Sequence, residues 1–432
     1  MVTATAIKKG YKQTELGIIP EDWGVVKLGR MVSGFEHGKG LSKAELREDG
    51  TTKCIHYGQL FTEYKELIKK VRSKTFIFPG ALRSVSNDVL IPTSDVTPRG
   101  LATASCIKET GVILGGGILV VRLTKEYDGV FLSYYISQNK TNVLRLVKGS
   151  TVFHLYAGDL SNLLVAVPGS LFEQKTIADA LSDTDALIEH LQKLIDKKKV
   201  LKQGTMNQLL TGKKRLPGFS AKWEIKSLNE LFDFSGGVTA SREQLSEAGT
   251  CYLHYGDIHG AKKSFVDVSK EYADIPKLQI KLQSVPQKSL LNDGDLVFVD
   301  ASEDDDGASK HVVIRNTKNI PYISGLHTIV AKGKDNSLDG MYKQYCFQTS
   351  EVKAQFKFFS VGTKVTGISK RNIAKIQIPV PALQEQKQIA EILNDMDSVL
   401  MDLEQKRDKY VMLKQGMMQQ LLTGRIRIYA NK

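Results

Sequence analysis

Long apolar runs are missing from this chain of 432 residues. None approaches the ~18 residues of a membrane-spanning helix, and Met1–Tyr11 (MVTATAIKKGY) lacks the apolar core of a signal peptide. A cytoplasmic protein without a membrane partner is expected. Cysteine is scarce: Cys54, Cys106, Cys251 and Cys346 are scattered with no CxxC pair, which argues against zinc or dithiol chemistry and for buried reduced thiols. Phosphate-cradling glycine loops are absent too. Gly115-Gly116-Gly117 opens a strand-like run rather than a helix, and Gly34–Gly40 (GFEHGKG) lacks the Walker spacing. There is no Asn-Pro-Pro-aromatic motif of the kind amino-methyltransferases use. His254 and His259 are five apart, a poor metal pair with nothing nearby to complete a site. Asp300, Glu303, Asp304, Asp305 and Asp306, followed by Lys310, form the only carboxylate cluster. These acids run almost consecutively beside Gly307 and read as a solvated loop, and the matching stretch Thr93-Ser94-Asp95-Val96-Thr97 carries no such cluster. A duplicated active site is therefore excluded, and the chain is expected to hold no metal or cofactor and to perform no chemistry.

What the chain does contain, it contains twice. Glu173–Lys213 and Glu385–Arg425 align without a gap at an offset of 212, with 21 of 41 positions identical. The globular stretches match more faintly: Trp23 answers Trp223, Ile55–Leu60 (IHYGQL) answers Leu253–Ile258 (LHYGDI), and Leu163–Pro168 (LLVAVP) answers Ile376–Pro381 (IQIPVP). Short β-branched runs broken by Gly, Pro and Asp predict strands, with helix inserted around Gly129–Leu146 and Gly340–Phe359. The fold class expected is α+β: two tandem α+β domains, residues 1–171 and 213–383, each followed by a long helix, residues 172–212 and 384–432.

Ile177, Leu181, Thr184, Ile188, Leu191 and Ile195 alternate four and three apart, and Ile389, Leu393, Met396, Leu400 and Leu403 repeat the pattern. That seam suits an antiparallel coiled coil of the two helices, with pseudo-twofold symmetry relating the halves. The 39 residues from Phe172 to Leu210 would reach ~58 Å at ~1.5 Å per residue, one to two turns of duplex DNA at ~34 Å per turn. Such a helix pair would act as a ruler.

Net charge is +13, unevenly spread: +7 over residues 1–171, +3 over 172–216, +2 over 217–383 and +1 over 384–432. A surplus of this size favours a polyanionic partner. Lys193, Lys197, Lys198, Lys199 and Lys202 crowd the end of the first helix, as a solvated face or as phosphate contacts. The sharpest basic cluster is Lys353–Lys375, with Lys357, Lys364, Lys370 and Arg371 and no acid among them. Thr366 and Ser369 sit between these bases, and the first half offers Lys148, Ser150, Thr151 and His154 at the matching place. Such loops suit phosphates and base edges, and they suit a tight turn equally well. Their presence in both halves favours contact. His56-Tyr57 and His254-Tyr255, placed on paired strands with one side exposed, are further candidate DNA contacts, or packed core aromatics. Glu173, Gln174 and Gln203 recur as Glu385, Gln386 and Gln415. A polar face repeated on a twofold frame can dock two copies of one partner subunit.

Gly10–Trp23 (GYKQTELGIIPEDW), the Glu-Gln that opens each helix shortly after Pro168 or Pro381, and the Leu-Lys-Gln-Gly…Leu-Leu-Thr-Gly that closes it together resemble specificity (S) subunits of type I restriction–modification systems, over essentially the whole chain. The resemblance implies two target recognition domains, each reading one half of a split, asymmetric sequence in double-stranded DNA. It also implies two modification methyltransferase subunits and restriction endonuclease subunits as partners. S-adenosylmethionine, ATP and magnesium would bind those partners rather than this chain. A departure is the acidic Asp304–Asp306 loop, which should face away from DNA or toward a partner. A type IIB-like specificity subunit, or a stand-alone DNA-binding repressor, would share these features.

Overall fold

The computed structural model describes residues 7–77, 79–261, 263–302, 310–362 and 366–428. They form two compact units, residues 1–193 with 404–432, and residues 194–403. Each unit is built on the same pair of sheets. In the first, a five-stranded sheet runs Val32–His37, Ile118–Leu123, Asp88–Pro92, Ser105–Ile107, Leu67–Ile68, antiparallel except for its last pair. In the second, the order is Phe232–Gly236, Thr328–Gly333, Leu296–Val299, His311–Arg315, Phe265–Asp267, again with only the last pair parallel. A smaller four-stranded sheet accompanies each.

Asp88–Pro92 and Leu296–Val299 are buried along their whole length, which is why they read as continuous apolar runs rather than alternating ones. Asp88 tolerates burial because Arg122 grips both its oxygens at 3.0 Å. In the second unit Lys332 holds Asp295 at 2.7 Å in the same role. The predicted helical inserts are present as Gly129–Gln138 with Lys140–Leu144, and as Ser350–Phe359.

The two long helices are Leu171–Leu209 and Leu383–Leu421, 39 residues each. Gly212 and Gly424 stop them in the left-handed region, at φ +69° and +68°. There the amides of Lys214 and Ile426 reach back to the carbonyls of Gln208 and Gln420. The start of the first helix and the end of the second pack antiparallel inside the first unit: Lys414 pairs with Asp185 at 2.7 Å, and Arg407 donates to Gln192 at 2.8 Å. Inside the second unit Lys202 pairs with Asp397 at 2.5 Å. Each core is closed accordingly. Met418, Leu421 and Leu422 join Ile177 and Leu181 in the first, and Met206, Leu209 and Leu210 join Ile389 and Leu393 in the second.

Equivalent residues make equivalent polar contacts in the two units. Tyr134 donates to Asp185 at 2.6 Å and Lys414 lies over its ring, as Tyr345 donates to Asp397 at 3.0 Å with Lys202 over its ring. Arg427 forms a fork to buried Glu173 and a second to Asp22 at 2.8 Å. Arg215 forms its fork to Glu385 at 2.7 and 2.8 Å. Removing an arginine strands a buried carboxylate, a loss of about 3–5 kcal/mol. Arg427→Ala and Arg215→Ala are therefore each expected to lower unfolding stability by roughly that amount, measured by urea denaturation. The Arg427 hydrogen bonds hold the Asp22 carboxyl below its usual range. Asp22's share of the stability is thus complete above the unfolded carboxylate pKa of ~3.9 and is lost as pH falls through the lower folded value. The Arg427→Ala deficit should shrink in strong acid, and an acid-independent deficit would contradict this account.

Candidate nucleic-acid interface

Two segments far apart in sequence converge at one edge of the first unit. Ser94–Asp95 pairs antiparallel with Phe153–His154, matching Ser94 to His154. The tip of this ribbon turns at Gly149, φ +119°, where a Cβ would stand 2.2 Å from the Val152 carbonyl oxygen, so the turn requires glycine. Lys148, Ser150 and Thr151 are exposed at that tip. Lys148 is tethered to Asp159 at 2.8 Å, and the His154 ring stacks on the exposed Tyr156 at 5.9 Å.

The second unit builds the equivalent ribbon from Ala301–Ser302 and Thr366–Gly367. Lys364 and the acidic Asp304–Asp306 loop lie outside the described residues. Ser369 accepts from the Asn372 amide at 3.2 Å and so caps the turn Lys370–Ile373. Lys370 and Arg371 are exposed on that turn and, with Lys375, line a shallow depression beside Phe232 and Phe234. Phe358 (81% exposed), edge-on to Phe359, and Val361 are exposed nearby in the sequence. The depression, which Asp233 also lines, joins three basic side chains to aromatic ones, a combination that phosphates and bases bind.

The placement of His56, Tyr57, His254 and Tyr255 on strands is corrected. The strands end at Ile55 and Leu253, and the His-Tyr-Gly segments turn into short helices, Gln59–Thr62 and Tyr255–Gly260. His56 Nδ1 accepts from the Gly58 amide at 3.2 Å, and His254 Nδ1 accepts from Gly256 at 3.1 Å. Burial foremost, with nearby Lys43 and Arg242, pushes both imidazoles below the ordinary histidine value. Both rings cap the turns that follow their strands, and His254 is itself buried. Tyr57 packs beneath Gly117 and edge-on to Phe61.

The expected docking face is also corrected. Glu173, Gln174, Glu385 and Gln386 are buried within their own units. Gln174 donates to the carbonyls of Glu126 and Pro168 and accepts from the Asp128 amide. Gln386 does the same with Ser337, Pro381 and Asp339. These glutamines lock each long helix to its sheet domain and have nothing left for a partner. Gln203 and Gln415 are exposed. Beside them stand side chains that the sequence reading passed over: Val200 (74% exposed) and Leu201 on the first helix, Met412 (65%) and Leu413 on the second. Their apolar character out of phase with the heptad seam, at the same offset of 212, was the available signal.

Among the described residues no group of three or more His, Cys, Asp or Glu could hold a metal, and no helix is long and apolar enough to cross a membrane. The four thiols are buried and unpaired. Burial pushes Cys54 up to about 11 and Cys106 up to about 12, which keeps them unreactive.

The family described as "Type I restriction modification DNA specificity domain" matches the chain twice, over residues 20–198 and 220–411. The chain is similar to the type I restriction enzyme MjaVIII specificity subunit of Methanocaldococcus jannaschii, 24% identical over 435 residues, which span 98% of this chain and 97% of that protein. It is equally similar to the putative MjaX specificity subunit of the same organism, 24% identical over 442 residues with 98% and 97% coverage. The crystal structure of a type I restriction–modification S subunit from M. genitalium shares the fold, with a TM-score of 0.59, 16% identity, and coverage of 92% of this chain and 96% of that one.

Replacing Lys370 and Arg371 together with alanine is expected to flatten the salt dependence of duplex binding. The slope of log affinity against log salt should fall by about two, near ~0.9 for each lost phosphate contact. A fluorescence-anisotropy titration across about 50–200 mM salt reads this directly, and an unchanged slope would remove the face from the interface.

Proposed function

The chain belongs to the type I restriction–modification DNA specificity family, and on that premise we propose that its two units read the two halves of one split, asymmetric DNA target. As a specificity subunit it is a non-catalytic member of its enzyme complex. The observation that carries the reading is a ribbon built at equivalent chain positions in both units but furnished differently. Lys148, Ser150, Thr151 and the His154–Tyr156 stack serve one, while Thr366, Ser369, Lys370 and Arg371 serve the other. One backbone frame with two sets of side chains fits two unlike half-sites, since base edges are read by side-chain donors and acceptors.

The scaffolding role rests on the long helices. Val200, Leu201 and Gln203 recur as Met412, Leu413 and Gln415, all exposed. Gly204 and Gly416 lie one turn further on, where an added Cβ would meet nothing of this chain. A mid-helix glycine disfavours the helix by about 1 kcal/mol, and neither is required by contacts within its unit. Exposed apolar side chains beside a glycine suit close approach of a partner element. Two copies of the surface suit two copies of one partner, the modification methyltransferase. S-adenosylmethionine would be bound by that partner, and ATP and magnesium by the partner or by the restriction subunits that join for cleavage.

The test is single-molecule sequencing of adenine methylation in cells that carry this chain with and without its methyltransferase partner. A split motif should appear only when both are present, and methylation indifferent to this chain would end the reading. Leu201→Glu and Leu413→Glu, both at exposed positions, should each weaken methyltransferase association at least ~10-fold while leaving thermal unfolding unchanged, measured by sedimentation or calorimetry. Association at wild-type strength in both variants would remove this surface from the scaffold.

A further inference from the structure

Among the described residues, Leu41, Asn87, Asn319 and His327 have left-handed backbones without being glycine. Asparagine adopts that region readily, and Leu41 is held there by burial in the core. His327 has neither excuse. Its φ is +57° and its side chain is about half exposed, 49%. It immediately precedes Thr328–Gly333, as Gly117 immediately precedes Ile118–Leu123 in the first unit. The backbone task is also the same at both sites. The Gly117 carbonyl accepts from the Thr93 amide at 2.9 Å, and the His327 carbonyl accepts from the Asp300 amide at 3.1 Å. Glycine therefore suffices for the turn, at φ +81° in Gly117, and the imidazole is an addition that works against the local backbone preference.

The ring is held in place. His327 Nδ1 lies 3.2 Å from Asp300 Oδ1, and the ring meets Tyr255 edge-on at 5.5 Å and 84°. Tyr255 in turn packs against His259, whose Nε2 lies 3.4 Å from the Ala301 carbonyl oxygen. His327 thus stands at the root of the Ala301–Ser302/Thr366–Gly367 ribbon. The carboxylate beside Nδ1 orients the ring through that nitrogen. Nε2 has no partner among the described residues.

We infer that His327 is a specificity-determining residue of the second unit, its Nε2 making a hydrogen bond to a base edge of duplex DNA. In the major groove each base pair presents its own pattern of donors and acceptors for such a contact. Asp300 is the positioning residue that fixes the ring. Gly117 leaves the first unit without an equivalent contact, so the two units read different bases from the same frame. This inference rests on the specificity-subunit reading.

His327→Gly, in the full chain with its methyltransferase, is the test, because glycine makes the same backbone turn at Gly117 in the first unit. The variant should unfold at or above the wild-type temperature. Methylation sequencing should show one position, in one half of the split motif, relaxed by about tenfold or more in discrimination, with the other half unchanged. His327→Phe, which keeps the ring and removes the nitrogen, should relax the same position. An unchanged motif in a folded His327→Gly protein overturns the inference while leaving the specificity role standing. Loosening spread over both halves overturns it as well. A wild-type chain that directs no split motif overturns the specificity reading and this inference together.

Discussion

A carboxylate buried at the start of each long helix governs the construction of this protein. Glu173 and Glu385 carry charge where little water reaches, and an unpaired carboxylate there costs several kcal/mol. Each is rescued by an arginine that lies just past the end of the other long helix, Arg427 for Glu173 and Arg215 for Glu385. Neither unit can satisfy its carboxylate with the chain that immediately surrounds it in sequence. The first unit needs residues 404–432, and the second needs the end of the first helix. The glycine stops at Gly212 and Gly424 aim the chain so that the arginines arrive. The Tyr–Asp–Lys contacts farther along the helices then fix the register in which they lie. In each unit one ion pair ties the start of a long helix to the chain just past the end of the other.

Against that fixed frame, the ribbons are free to differ. Their strands are two residues long, and Lys148, Ser150 and Thr151 at the first one's tip are exposed, so these side chains contribute little to the core. Lys148, Ser150 and Thr151 can be exchanged for other residues at small cost in stability, since surface substitutions usually fall within about half a kcal/mol. The energetics separate the part of the molecule that must stay the same from the part that can read a new sequence.

The frame was legible in the sequence and the ribbons were legible only in outline. The helices announced themselves because the same seam residues recur at a fixed offset, and Ile177, Leu181, Leu191 and Ile195 are indeed buried, as are Ile389, Leu393 and Leu400. The strands of the central sheets followed from apolar runs bounded by turns. Glu-Gln misled because polarity suggests a surface, whereas these side chains are consumed by backbone groups that only the tertiary fold brings near. His-Tyr-Gly misled because its alternation continues the preceding strand, while the glycine amide bends the chain back onto the histidine. The convergence of residues 94–95 with 153–154 could not be read at all. It is a non-local pairing with no periodicity to betray it.

The duplication also shows where one solution had to be rebuilt. Trp223 donates its indole N–H to Glu385 at 2.9 Å, completing that carboxylate alongside Arg215, which stacks over the ring at 5.3 Å. The matching Trp23 is fully buried, and its Nε1 has no partner among the described residues, an arrangement that costs roughly 1–3 kcal/mol. The residue before each tryptophan accounts for the difference. Asp22 offers a carboxylate, so Arg427 spreads across both Asp22 and Glu173. Lys222 stands at the equivalent place in the second half and can offer an arginine only repulsion. Arg215 therefore turns wholly to Glu385, and the indole completes the site. The charge beside the tryptophan thus differs between the halves together with whether the indole joins the site, while the glutamate–arginine pair itself persists in both.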